Sequence, residues 1–160
     1  MANFTITERV EAPIETVFDV ATDLPHAAEH IRGIEKIELL SPGPIGVGTR
    51  WRETRRMMGR EATEILEIKE INRPRGYTVG CESCGCYFQT KFNFASRPNG
   101  TDVTLDVSTD AITLMAKLMA PIGNLLMGKA MRRLMEDDLD DLKRVAESRF
   151  TATEAGSAVF

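Results

Sequence analysis

The sequence predicts an α+β fold: a curved antiparallel sheet of about seven strands around a long C-terminal helix, with two short helices after the first strand. Three observations carry this expectation. The N-terminal stretch alternates and then turns helical twice. Six further strand-like segments follow, joined by short Gly, Pro and Asn turns. From Leu114 onward the apolar period becomes helical again and stays so.

The elements follow in order. Phe4, Ile6, Glu8 and Val10 alternate with Asn3, Thr5, Thr7 and Arg9, which reads as a strand. Ala12-Pro13 ends it, and Pro13 suits a first helical turn. Ile14, Val17, Phe18 and Ala21 recur at helical spacing. Asp23 with Pro25 opens a second short helix that Gly33 stops. Strands are then expected over 34–40, 47–57, 61–71, 77–83, 86–95 and 102–111. Cys84-Gly85 and Arg97-Pro98-Asn99-Gly100 supply two of the turns. Leu114, Leu118, Ile122, Leu125 and Leu126, then Met131 to Ala146, repeat helically. Pro121 and Gly123 predict an early kink or break in that helix. Arg132–Glu136, Arg133–Asp137 and Asp140–Arg144 are spaced to pair on its outer face. Residues 1–150 are read as one ligand-binding domain, and 151–160 as a small, polar, disordered tail.

The bulk numbers limit the function classes. The chain has 160 residues, long enough to bury a core without a metal or disulfide. Its net charge of −4 lacks the basic footprint of a nucleic-acid binder. No leader pattern and no apolar run of membrane-span length is visible. Three cysteines, Cys81, Cys84 and Cys86, lie within one hairpin, a poor disulfide framework that suits a reducing cytosol. The chain is therefore read as cytoplasmic, without stable membrane insertion, and as a monomer or homodimer.

Short turns between the six later strands imply an antiparallel meander with one apolar face to cover. The C-terminal helix is the element long enough to cover it. A sheet curved around one helix leaves room at its end for a small molecule.

Several segments then resemble a known family. Ala12-Pro13-Ile14-Glu15-Thr16-Val17-Phe18 is similar to the strand-to-helix passage of the START-like (SRPBCC) superfamily. Gly46-Val47-Gly48-Thr49-Arg50-Trp51 and Ile68-Lys69-Glu70-Ile71-Asn72-Arg73-Pro74 resemble its later strands. Residues 121–143 resemble the closing helix of its polyketide cyclase/dehydrase-type branch. The resemblance covers about residues 3–148 and implies a helix-grip fold. It does not fix an activity, because members include carriers, enzymes and chaperone activators.

Candidate residues follow from period and chemistry. Trp51, Glu53 and Arg55 share one strand face. The interior is their expected side, because the opposite order would bury Arg50 and Arg52. Phe88, Phe92 and Phe94 share a face, as do Val103, Leu105 and Val107. The expected ligand wall comprises Trp51, Phe88, Phe92 and Val107 with Leu118 and Met119 of the helix. Glu53, Arg55 or His30 would orient a polar group. The catalytic candidates are Glu53 and His30, and the resemblance puts the short helix carrying His30 at the cavity mouth.

Other patterns read blandly. His26-Ala27-Ala28-Glu29-His30 matches a zinc-protease signature, but strands follow where a third ligand's helix is needed. The three cysteines form an incomplete metal set, so no metal and no cofactor is expected. Gly46-Val47-Gly48 leads into a strand, unlike a dinucleotide loop. The Met-rich helix suits an irregular ligand, and with Lys117, Lys129, Arg132 and Arg133 also a membrane surface. The leading expectation is a binder of a hydrophobic small molecule, lipid-like, polyketide-like or aromatic. A cyclase/dehydratase-type enzyme in the same cavity, or a chaperone-activator-like interaction module, are the alternatives.

Overall fold

The computed structural model of the protein describes residues 3–57 and 59–158, with 120–127 described by backbone alone. Strand β1 (Phe4–Val10) leads to α1 (Ile14–Ala21), a single 3-10 turn (Leu24–His26) and α2 (Ala27–His30). Then come β2 (Ile34–Leu39), β3 (Arg50–Met57), β4 (Arg60–Asn72), β5 (Gly76–Ser83), β6 (Cys86–Arg97) and β7 (Gly100–Ala111). Helix α3 (Leu114–Ser157) closes the chain. The seven strands form one sheet in the order β1-β7-β6-β5-β4-β3-β2, antiparallel at every described pairing. This is the helix-grip arrangement expected.

Irregular register curves the sheet. The pairing slips between Ile34 and Lys36 in β2, and between Ile68 and Glu70 in β4. An unpaired residue on one strand sharpens the local twist and bends the sheet toward one face. Gly76 allows a close approach nearby, since a Cβ there would lie 2.1 Å from the Phe92 carbonyl oxygen.

One face of the sheet is the core. Val10, Ile68, Val103 and Leu105 from the strands meet Val17 and Phe18 of α1 and Leu139, Leu142 and Ala146 of α3. Phe18 is fully buried, with the edges of Tyr77 and Phe94 against it at 6.2 and 5.9 Å. Burying such a ring contributes about 2–3 kcal/mol. Thr101, also fully buried, satisfies its hydroxyl by donating to the Ala12 carbonyl at 2.8 Å. That bond ties the start of β7 to the end of β1.

The two halves of α3 are held differently. In the C-terminal half, Asp141 is 2% exposed and accepts from the Arg32 backbone N–H at 2.9 Å and from Arg32 Nε at 2.8 Å. Lys143 donates to Glu8 at 2.7 Å, and Glu147 accepts from the Glu11 N–H at 2.9 Å. The N-terminal turns are capped by Thr113, whose hydroxyl accepts from the Ala116 N–H at 3.2 Å. Beyond that cap, Leu114, Met115, Leu118 and Met119 are exposed.

Two expectations for this helix are corrected. The expected break does not occur, since the helix runs continuously across Pro121 and Gly123. Their side chains lie outside the described residues. Residues 151–157, expected as a disordered tail, are helical. The hydroxyls of Thr151 and Thr153 donate one turn back, to the Glu147 and Arg149 carbonyls at 2.9 and 3.0 Å. Loss of apolar period there marks loss of burial, not loss of helix. Of the expected outer-face pairs, Arg132–Glu136 forms at 2.9 Å, whereas Arg144 reaches Asp141 at 3.5 Å.

Candidate functional site

Strand alternation assigns the inward face. Trp51 pairs with Leu66, Leu66 with Cys81, Cys81 with Phe88 and Phe88 with Thr109. Residues directly opposite share a face, so this row crosses five strands on one side of the sheet. Glu53 lies opposite Glu64, and Tyr77 opposite Phe92. Near α1 this face is sealed, with Ile68, Val79, Phe94 and Leu105 all buried. The same face is only half-buried at Phe92 and, toward the β5–β6 turn, at Thr90, Phe88, Cys81 and Leu66. An apolar wall that faces inward and stays partly open is a place for a ligand.

Trp51 is 3% exposed and is part of the core. Its indole N–H donates to Glu53 Oε2 at 3.1 Å. Arg55 Nε donates to Glu53 Oε1. Both oxygens of Glu53, itself 7% exposed, are thus occupied within the protein. The guanidinium of Arg55 then grips Asp138 of α3 through two bonds, at 3.1 and 2.8 Å. Its charge is shared by two carboxylates, which hold its pKa above the ordinary arginine value despite burial. Burial pushes the Asp138 carboxyl upward, and Arg55 only partly offsets this. The expected role of Glu53 and Arg55 in orienting a ligand meets a network that is already satisfied. Their arrangement is that of a staple between sheet and helix.

Other expected wall residues divide. Phe92 stacks on Tyr77 with ring centroids 4.4 Å apart, and Phe88 lies two same-face positions nearer the turn, with Thr90 between them. Val107 is buried opposite Phe4. Leu118 and Met119 are 74% and 51% exposed, so neither packs into the wall. Helical period alone could not distinguish them from the buried leucines further along, because the whole stretch is apolar. His30 sits on α2, with its ring 6.2 Å from that of His26. Its Nδ1 is buried without a hydrogen-bond partner, and burial lowers its pKa. Its ring neighbour is His26 rather than the aromatic wall.

Glu64 was not singled out from the sequence. It accepts from Ser83 Oγ at 2.7 Å and from Cys81 Sγ at 3.7 Å. Period two from Leu66 places it inward, but the surrounding acids Glu61, Glu67 and Glu70 mask the signal. Burial, with the negative charge of Glu64 next, pushes the Cys81 thiol up to about 12. That thiol is protonated at neutral pH and is a poor nucleophile. The three cysteines are free thiols, and no group of three metal-ligating side chains is assembled among the described residues. Among those residues, no helix is long and apolar enough to cross a membrane. Two surface depressions, of about 770 and 520 Å³, lie along the C-terminal half of α3 and between α3 and the end of β3. Neither includes the inward aromatic wall.

The comparisons with known proteins agree with this architecture. The structure resembles an aromatase/cyclase, Zhui, from a Streptomyces species: TM-score 0.74, 18% identity, covering 92% of this chain and 94% of that one. A START superfamily protein from Mycobacterium smegmatis gives 0.73 at 15% identity, covering 94% and 98%. The TTHA0849 protein from Thermus thermophilus gives 0.68 at 21% identity, also covering 94% and 98%. At these identities the likeness is one of fold. No curated protein matches the sequence significantly. The family model described as polyketide cyclase/dehydrase and lipid transport matches residues 1–147, and the chain belongs to that family.

Proposed function

We propose that this protein binds a hydrophobic small molecule against the inward face of its sheet. The observation that carries this reading is the half-open aromatic wall of Phe88 and Phe92, on the face that is otherwise sealed by core. Covering a few hundred Å² of such a ligand is worth several kcal/mol at roughly 25 cal/mol per Å², before association costs. Family membership and the aromatase/cyclase neighbour support the same class of ligand.

An enzyme using the same cavity would act through Glu53 or His30. Glu53 is held by Trp51 and Arg55, and His30 lies beside His26 on α2. A binding role does not need either.

Titration with the neutral dye N-phenyl-naphthylamine tests the reading. Dye fluorescence should rise on saturable binding, and Phe92→Ala should weaken it about tenfold, near 1.4 kcal/mol. Phe92 is half-buried, so the variant is expected to fold, which circular dichroism checks. Absence of saturable binding to the native protein overturns the proposal.

A further inference from the structure

Charge on the inward face goes further than shape. Among the described inward strand positions, Arg55 is the Lys or Arg that is not exposed; Arg60 has the same parity but lies exposed at the hairpin end. Arg55 is fully engaged by Glu53 and Asp138. Glu64 faces the same side, directly across from Glu53, and has no cation among its described partners. Those partners are a hydroxyl and a thiol, both donors. The undescribed side chains of 120–127 are all uncharged residue types, so they add no cation.

On the sheet itself, the open part of the wall therefore carries Glu64 and no free base; the nearest cations of α3, Arg132 over the Phe4 ring and Lys129 and Arg133 beside Met57, are all exposed. A carboxylate ligand placed there would lose its hydration and meet like charge. A neutral ligand with a hydroxyl meets an acceptor. Glu64 holds two oxygens with several lone pairs, and Ser83 and Cys81 use one site on each. The half-buried position of Glu64 strengthens such a bond relative to water.

We infer that the inward face selects neutral, hydroxyl-bearing apolar molecules over carboxylates, and that Glu64 is the residue that sets this preference. The inference rests on the binding reading above and adds its specificity. It excludes free fatty acids as preferred ligands.

The experiment displaces bound N-phenyl-naphthylamine with naphthol or naphthoate at neutral pH, where the first is neutral and the second anionic. Naphthol should compete at least about tenfold better than naphthoate. Glu64→Gln keeps the size of the side chain and an acceptor for Ser83, so the fold should hold. In that variant the gap should shrink to about threefold or less, through better naphthoate binding. Equal competition in the native protein overturns the inference, and so does a gap that survives in folded Glu64→Gln. If the dye itself does not bind, the binding proposal fails with it. If the dye binds but the competitors are not discriminated, the specificity fails alone.

Discussion

Arg55 on β3 and Asp138 on α3, 83 residues apart, close a two-bonded ion pair that joins the sheet to its covering helix. The pair is largely shielded, with 15% and 17% of the two side chains exposed. Glu53 completes it from the strand side, and Trp51 completes Glu53. Four groups in sequence thus share one chain of charge-assisted bonds, which lock the middle of α3 over the open end of β3.

Removing one end should be costly. Asp138→Ala leaves the Arg55 charge half-shielded with one carboxylate in place of two, and should destabilise the fold by about 3 kcal/mol. Urea unfolding followed by Trp51 fluorescence measures this directly, since the native indole is buried. Replacing all three charges, as in Glu53→Gln with Arg55→Met and Asp138→Leu, should recover part of the loss, because no buried charge is then left unpaired. A triple variant as unstable as the sum of the single losses would contradict the coupling.

How much of this was legible in the sequence depends on range. Strand alternation placed Trp51, Glu53 and Arg55 on one inward face, and the turn residues placed the hairpins, because both signals are local. A two-residue turn at Cys84-Gly85 by itself dictates that Ser83 faces Cys86 and Cys81 faces Phe88, as observed. The partner of Arg55 was not legible, because Asp138 is one of several acids on α3 and only the helix's final position selects it. Asp141, among the most buried polar groups, was hidden by the same crowd of acids. Leu118 and Met119 failed in the opposite sense: apolar period reported a helix face, but not whether the sheet reaches it.

The β5–β6 turn carries visible strain. Both of its central residues have positive φ, 49° at Cys84 and 74° at Gly85. Glycine takes this conformation freely and asparagine tolerates it, but cysteine does so at a cost. Cys84→Asn should therefore stabilise the protein by about 0.5–1 kcal/mol. Gly85→Ala should do the reverse, since its Cβ would come within 2.5 Å of the Thr113 hydroxyl that caps α3. Thermal unfolding of the two variants under reducing conditions checks both signs. Stabilisation by Gly85→Ala would show that the turn and the helix cap are not coupled as described.

His26 and His30 are neighbours whose proton affinities move apart. A hydrogen bond to Asp23 at 2.8 Å, reinforced by that carboxylate's charge, raises the affinity of His26. Burial lowers that of His30, whose Nδ1 has no partner. In the unfolded chain both take up protons near the ordinary value of about 6.5. For His26 the folded state binds the proton more tightly. Its stabilising contribution is complete below the ordinary value and fades as pH rises through the higher folded one. For His30 the unfolded state is protonated first, so stability is complete above the ordinary value. It falls as pH drops toward the lower folded one. Proton NMR of the two imidazoles should give one midpoint on each side of about 6.5. Asp23→Asn should bring the His26 midpoint down, and His30→Gln should remove the loss of stability on the acid side alone. Two midpoints on the same side, or an acid-side loss unchanged in His30→Gln, would show that burial of His30 does not control its charge.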